Sequence, residues 1–109
     1  MTGSTFRFKP DEDAFLQFRH MFYDCIAKLE TAFSGCRTPD EAENTAAACR
    51  EMFADLIAQA VDAERGCKVP CEGVMSAIKA YAGTADRYVG IAKADCMERL
   101  VHQIIRSAV

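Results

Sequence analysis

The chain has 109 residues, of which half are hydrophobic and 27% are charged, a balance typical of one small globular domain and not of a disordered chain. Its net charge of −3 leaves no basic surface that could neutralise several phosphates, so we expect no nucleic-acid binding. No apolar run approaches the ~20 residues that span a bilayer, and the first residues do not resemble a secretory signal, which slightly favours a cytoplasmic location and leaves the compartment otherwise unknown.

Residues 1–10 predict an extended N-terminal arm. In this segment Phe6 and Phe8 alternate with basic residues, and a two-residue period is typical of extended backbone. Two interpretations of the phenylalanines are open: they pack onto the rest of the protein, as aromatic residues generally do, or they bind a partner. Residues 11–109 predict a single helical domain, since proline and glycine are few and helix-favouring residues dominate.

The first two predicted helices have clear boundary signals. Apolar residues at three- and four-residue steps predict a helix over 11–33, and Gly35 is placed to end it. The second helix begins in the string T-P-D-E at 38–41, where the threonine can cap, the proline suits the first helical position, and the glutamate can reach back to the backbone N–H of the cap. It ends before Gly66. The two apolar stripes comprise Phe15, Phe18, Phe22, Cys25, Ile26, Leu29 and Phe33, then Ala42, Ala46, Cys49, Phe53, Leu56, Ala60 and Ala63.

Two further helices are predicted after a short loop. Pro70 opens a short third helix that Gly83 closes, and Thr84 caps a fourth helix that continues to about Ser107. Short loops favour antiparallel neighbours. The predicted fold is therefore all-α: an antiparallel four-helix up-and-down bundle with a short third helix and an extended N-terminal arm.

The six cysteines are placed at defined heights in that bundle by the 1.5 Å rise per residue of a helix. Two lie at one height on facing sides of the first two helices, three meet near the loop before the third helix, and one stands alone in the loop after the first helix. Because a disulfide needs Cα atoms within about 7 Å, three intramolecular disulfides do not fit this arrangement. The pair is Cys25 with Cys49, the trio is Cys67, Cys71 and Cys96, and the single residue is Cys36.

Three interpretations of these cysteines are open. They are buried as small apolar side chains, as free cysteine often is; or one or two disulfides form, with Cys25 and Cys49 as the best-placed pair; or Cys67, Cys71 and Cys96 have a metal or redox role. Three thiolates can hold Zn²⁺ or a soft ion such as Cu(I). The spacing C-x-x-x-C differs from the usual C-x-x-C, however, and no fourth protein ligand is evident in the sequence.

The sequence holds no catalytic motif of the nucleophile-elbow, Walker, dinucleotide-binding or zinc-protease type. His20 and His102 lie on the more polar sides of their predicted helices, and neither has a glutamate three residues before it, as di-metal helical bundles require. We therefore expect a protein that is not an enzyme and that uses no cofactor.

Part of the chain resembles a class of inhibitor. Between Cys49 and Ile105, C-K-V-P at 67–70 is followed by G-V-x-x-A-I-x-A-Y, and this pattern is similar to periplasmic immunity proteins that neutralise type VI secretion amidases. The resemblance covers about half of the chain, lacks the Gly-Tyr element expected after Cys49, and transfers no site residue. It implies a toxin-neutralising role as one form of protein binding.

The predicted fourth helix has more apolar surface than one neighbour can cover. Beside its main row, Met97, Val101 and Ile105 belong to a second row, which is either buried by the first two helices or open to a partner. Together with Phe6 and Phe8, these are the candidate partner-binding residues. The leading hypothesis is a non-enzymatic, self-associating protein–protein interaction module of regulatory, adaptor or inhibitor type, such as an immunity or anti-defence protein, with an unidentified protein partner or a homodimer. The alternative is a thiol-based metal-binding or redox protein that uses the cysteine trio.

Overall fold

The computed structural model describes residues 6–10 and 12–108, and over these residues the chain forms three α-helices and no strand. Helix α1 is Ala14–Ser34, α2 is Pro39–Arg65 and α3 is Glu72–Ala108. The all-α prediction is confirmed. The predicted four-helix bundle is wrong, because the segments assigned to a third and a fourth helix are one continuous helix.

Helix α1 begins at an aspartate cap. The carboxylate of Asp13 accepts the backbone N–H groups of Phe15 at 2.8 Å and of Leu16 at 3.2 Å, which satisfies two donors of the first helical turn. The helix begins later than predicted: Asp11 lies outside the described residues, and Glu12 and Asp13 precede the first helical residue. At the other end Gly35 follows the last helical residue, as predicted, with a negative φ of −86°, so this position requires no glycine-specific conformation.

Helix α2 begins as its sequence predicts, with one difference of detail. The hydroxyl of Thr38 accepts the N–H of Glu41 at 3.1 Å, and Pro39 occupies the first helical position. The carboxylate of Glu41 reaches back to the N–H of Arg37 at 2.8 Å, one residue before the predicted target. Gly66 follows the last residue of the helix.

Helix α3 runs through the glycine and threonine that were expected to separate two helices. Gly83 has no positive φ, and Thr84 is an interior helical residue. A glycine inside a helix costs only about 0.5–1 kcal/mol relative to alanine. Ile78 before it and Ala85 and Val89 after it are buried on one face, and this burial on both sides of the glycine offsets the cost.

The centre of the core is an aromatic cluster to which all three helices contribute. The ring of Phe22 lies 5.8 Å from that of Phe18, 5.1 Å from that of Phe53 and 5.0 Å from that of Tyr81, measured between centroids. The contact with Tyr81 is edge-to-face, a favourable geometry for aromatic pairs. Further core residues continue this line in both directions: Leu29, Phe33, Ala42, Ala46, Leu56, Ala60, Met75, Ile78, Val89 and Leu100.

The loop between α2 and α3 is held by a buried carboxylate. Glu64, in the last turn of α2, is only 7% exposed and accepts the backbone N–H of Cys71 at 3.1 Å. This hydrogen bond joins the end of one helix to the residue before the next. It fixes the reversal of the chain at one end of the bundle.

The described part of the N-terminal arm lies against the same end. The side-chain amide of Gln17 pairs with the backbone of Lys9, accepting its N–H at 2.7 Å and donating to its carbonyl oxygen at 2.9 Å. The N–H of Phe6 donates to the side chain of Gln59 at 3.3 Å. Phe6 and Phe8 are half-buried and pack against the core, so residues 6–10 are non-helical chain fastened to the bundle.

Candidate functional site

The last two turns of α3 extend beyond the other two helices. Leu100 is the last buried residue of α3, and all eight residues of 101–108 are exposed; this segment is called the α3 tip below. The end of α1 lies one turn earlier, because the Phe33 carbonyl oxygen contacts Cys96 and Arg99 of α3. The tip therefore begins where the bundle ends.

The α3 tip is strongly apolar for an exposed segment. Val101 is 50% exposed, Ile104 58% and Ile105 55%, although β-branched aliphatic side chains are usually buried. Val101 and Ile104 continue a row of apolar residues that is turned by roughly a third of a turn from the buried face of α3, and Ile105 lies beside this row. This tip stripe, defined by alternating steps of three and four residues, comprises Ala94, Met97, Val101, Ile104 and Ala108.

The structure divides the predicted partner-binding residues between two ends of the molecule. Met97, Val101 and Ile105 lie on or beside the tip stripe, and Val101 and Ile105 are exposed. Phe6 and Phe8 lie at the opposite end, where Phe8 shares a surface cleft with residues around the α2–α3 loop. A single contact surface of this one molecule cannot contain both groups.

The predicted cysteine trio does not come together. Cys67 lies in the α2–α3 loop and Cys71 immediately precedes α3, whereas Cys96 lies in the second half of that helix. The 25 residues between Cys71 and Cys96 correspond to roughly 37 Å along a helix. The expected meeting of the three thiols depended on a chain reversal at Gly83, which the continuous helix removes. Among the residues that the structure describes, no group of three histidine, cysteine or acidic side chains could hold a metal ion.

Four cysteines, including Cys96 of that trio, are buried in the core. Cys25 and Cys49, the pair that the sequence suggested for a disulfide, are both buried and are free thiols in this structure. Burial raises the pKa of the Cys25 thiol, and the nearby Cys49 adds to that increase. Burial also raises the pKa of Cys49, to which Cys36 adds. A row of buried thiols therefore leads from α1 across α2 to the α1–α2 loop.

Cys36 was assigned alone to a loop, and the structure instead gives it a neighbour on α3. It is only 5% exposed, and its thiol lies close enough to Cys96 to affect the pKa of that residue. Burial raises the pKa of Cys96, the Cys36 thiol adds to the increase, and Arg99 opposes it. Sequence analysis missed this pair because it placed Cys96 in a separate helix beside the other loop. A continuous apolar stripe through residue 83 was the signal that could have revealed it.

Comparison of the chain with protein-family models, with curated proteins and with solved structures finds no match. Within the described residues, no helix has the combination of length and apolar character that crossing a membrane requires. The assignment of the candidate site therefore depends only on the geometry of this chain.

Proposed function

We propose that this protein is a non-enzymatic helical module that acts through protein–protein contact, with the α3 tip as its contact surface. The observation that supports this proposal most directly is the exposure of Val101, Ile104 and Ile105 on two successive turns outside the bundle. Clusters of exposed apolar side chains on a protein surface commonly mark interaction sites.

The tip is helical although no other part of the bundle buries it, which supports a partner that covers its apolar stripe. Most helical stability in proteins comes from packing an apolar face and not from intrinsic propensity, and the tip has no buried residue after Leu100. Valine and isoleucine are only moderate helix formers. A tip without a partner is thus expected to fray, whereas a tip that is packed against another helix is stabilised along its stripe.

We propose a second copy of the chain as the occupant of this surface. The three- and four-residue steps of the tip stripe are those of the contact line between paired helices. A stripe of this kind is complementary to itself, so it suits a symmetric pair in which each copy presents the same face. Gly90 and Ala94 continue the stripe toward the bundle, where small side chains allow two helix backbones to approach closely.

The oligomeric state tests the proposal. Sedimentation equilibrium is measured from low to high micromolar concentration on the native chain and on the double variant Val101→Glu/Ile104→Glu. The native protein is expected to move from 12.0 kDa toward twice that mass as concentration rises. The double variant is expected to stay a monomer, because two carboxylates on the stripe would have to be desolvated in the pair.

A matched control uses Gln103→Glu/Ser107→Glu. These two residues are exposed on the same tip but lie away from the stripe, and the substitutions add the same charge. This variant is expected to associate like the native chain. The proposal is contradicted if the native chain remains a strict monomer and binds no apolar dye at the tip. If the native chain is a monomer that binds the dye, and only Val101→Glu/Ile104→Glu loses this binding, the surface is assigned to a partner of different sequence and not to a second copy.

A further inference from the structure

Cys36 and Cys96 come from distant parts of the chain and share one polar neighbour. A terminal guanidinium nitrogen (Nη2) of Arg99 lies 3.5 Å from the carbonyl oxygen of Cys36 and 3.5 Å from the sulfur of Cys96. The Cys36 thiol is also close enough to Cys96 to raise the pKa of the Cys96 thiol. Cys36 of the α1–α2 loop and Cys96 in the second half of α3 therefore meet at this point.

Both thiols are held in position by hydrogen bonds. The sulfur of Cys36 lies 3.2 Å from the hydroxyl oxygen of Thr45 and donates to the carbonyl oxygen of Ala32 at 3.6 Å. The sulfur of Cys96 donates to the carbonyl oxygen of Phe33 at 3.6 Å. The two thiols thus donate to adjacent carbonyl oxygens in the last turn of α1, which places both of them at the same end of that helix.

One of the two thiols borders a surface cleft. Cys96 lines this cleft together with Glu30, Ser34, Asp95 and Arg99. Both residues are almost fully buried, Cys36 at 5% and Cys96 at 4% exposure, but of the two only Cys96 lines this cleft, so a small oxidant reaches the pair from the Cys96 side. The arrangement has the two parts that intramolecular disulfide formation needs: an approachable thiol and a second thiol beside it.

We propose that Cys96 and Cys36 form an oxidation site at which a hydroperoxide produces an intramolecular disulfide. The Cys96 thiolate attacks one oxygen of the peroxide, the O–O bond breaks, and Cys96 becomes a sulfenic acid while hydroxide, or alkoxide from an organic peroxide, leaves. The thiolate of Cys36 then attacks the Cys96 sulfur, the S–O bond breaks, and the hydroxyl group leaves with a proton as water. Each disulfide consumes one peroxide, which accepts the two electrons released by the two thiols.

The disulfide would tie α3 to the α1–α2 loop at the base of the α3 tip. Cys96 lies one turn before Leu100, the last buried residue of the helix. The bond would join positions that lie 60 apart in the sequence, 36 and 96, and closing a long loop of this kind restricts the unfolded chain strongly. This inference does not depend on the proposed contact function of the tip.

Peptide mapping of the oxidised native chain tests the proposal. The reduced protein is treated with hydrogen peroxide, the remaining thiols are blocked by alkylation, and intact mass and cross-linked peptides are measured by mass spectrometry. The expected product has lost two hydrogen atoms, about 2 Da, and contains a peptide that joins Cys36 to Cys96. A product that joins Cys25 to Cys49, or Cys67 to Cys71, without the Cys36–Cys96 peptide overturns the proposal.

Single variants supply a second readout. In Cys36→Ser the loss of two hydrogens is expected to disappear and Cys96 to stop at the sulfenic acid, which gains one oxygen. In Cys96→Ser no oxidation of Cys36 is expected, because the approachable thiol is missing. Cys25→Ser is the matched control and should form the disulfide at the native rate. Unchanged disulfide formation in Cys36→Ser and Cys96→Ser, with native circular dichroism, rejects the assignment.

The reaction rate should also depend on pH in a defined direction. The charged and titratable groups around Cys96 are Cys36 of the α1–α2 loop, Glu30 of α1, and Asp95 and Arg99 of α3. The thiolate is the reacting species, and burial holds the pKa of Cys96 above the ordinary thiol value. The rate of disulfide formation is therefore expected to rise about tenfold for each pH unit below that pKa, and a rate that does not change with pH contradicts the role of Cys96.

Discussion

Arg99 of α3 donates a hydrogen bond of 3.0 Å to the carbonyl oxygen of Phe33, in the last turn of α1. The carbonyl groups at the end of a helix have no partner within that helix and carry partial negative charge, which a guanidinium group neutralises well. The same nitrogen also lies 3.5 Å from the carbonyl oxygen of Cys36. One side chain thus closes the end of α1 and fastens α3 to it at the point where the bundle stops.

Replacement of Arg99 by leucine is expected to destabilise the protein by about 1–3 kcal/mol, since a charged donor is lost and the carbonyl oxygens of Phe33 and Cys36 lose that partner. The measurement is the free energy of unfolding from urea denaturation. Arg106→Leu makes the same change on the exposed tip and should alter stability by less than about 0.5 kcal/mol. Equal effects of the two substitutions would show that the bond to Phe33 contributes nothing to stability.

Gly83→Ala is expected to stabilise the protein by about 0.5–1 kcal/mol, because alanine is the better residue inside a helix. A Cβ atom placed at Gly83 meets nothing within 4 Å. The prediction discriminates between folds, since a glycine that ends a helix in the left-handed conformation resists this substitution. Thr84→Ala is the companion variant: an interior threonine tolerates the change, whereas a helix cap loses about 1 kcal/mol. Thermal unfolding measures both.

Phe22→Ala is expected to cost about 3–5 kcal/mol, the range for removal of a fully buried aromatic ring. Phe22 is 1% exposed and its ring contacts those of Phe18, Phe53 and Tyr81. A cost of this size is a large fraction of the total stability of a small domain. Leu16→Ala, on the same helix but exposed, should change the unfolding free energy by less than about 0.5 kcal/mol. A small effect of Phe22→Ala would contradict the central position of the cluster.

The stability of the protein is expected to fall as the pH rises above about 8.5, the ordinary thiol pKa. The pKa values of Cys25, Cys49 and Cys96 are raised in the folded state, chiefly by burial. In that pH range the unfolded state has already lost thiol protons that the folded state retains, so deprotonation favours unfolding. The contribution is complete below the unfolded pKa and is lost as the pH passes the folded one.

Chemical denaturation at a series of pH values under reducing conditions measures this loss. Cys25→Ala removes one of the buried thiols, so the unfolding free energy of this variant should fall less steeply between about pH 8 and pH 10 than that of the native chain. Cys71→Ala removes an exposed thiol and should leave the slope unchanged. Identical slopes in all three proteins would mean that the buried thiols do not contribute to the pH dependence.

The features that could be predicted from the sequence are those that local chemistry determines. The cap at Thr38, the proline at the start of α2 and the glycine after each of the first two helices all act within about one turn. Glu41 shows the limit of this reasoning, because its carboxylate reaches the N–H of Arg37 and not that of Thr38. Which of the two adjacent backbone N–H groups is used depends on side-chain geometry, which the amino-acid sequence does not specify directly.

The division of α3 at Gly83 was wrong because a local signal was preferred to a longer pattern. Gly-Thr is a common junction between helices, but the apolar residues keep their helical phase through it. Ile78, Ala85 and Val89 follow one another at steps of seven and four and are all buried. A true break would shift that phase, so the periodicity over several turns is the stronger evidence.

The division at Gly83 also hid the proximity of Cys36 and Cys96, which the cysteine spacing alone does not reveal. Positions 36 and 96 are neighbours only because α3 extends past Gly83 to the end of α1. The surplus of apolar residues that includes Val101 and Ile105, by contrast, already indicated an exposed surface on this part of the chain. Whether neighbouring helices cover such a row depends on their relative lengths. α1 has 21 residues and α3 has 37, and this mismatch leaves the row exposed.

Three antiparallel helices, unlike four, place the beginning and the end of the fold at opposite poles. The arm is fastened beside the α2–α3 loop, and the tip lies at the far side of a rod 64 Å long. The N-terminal arm is thereby held at a distance from any protein that contacts the α3 tip. In the proposed pair, two such rods joined at their tips would place their N-terminal arms at the two outer ends, far from the shared contact.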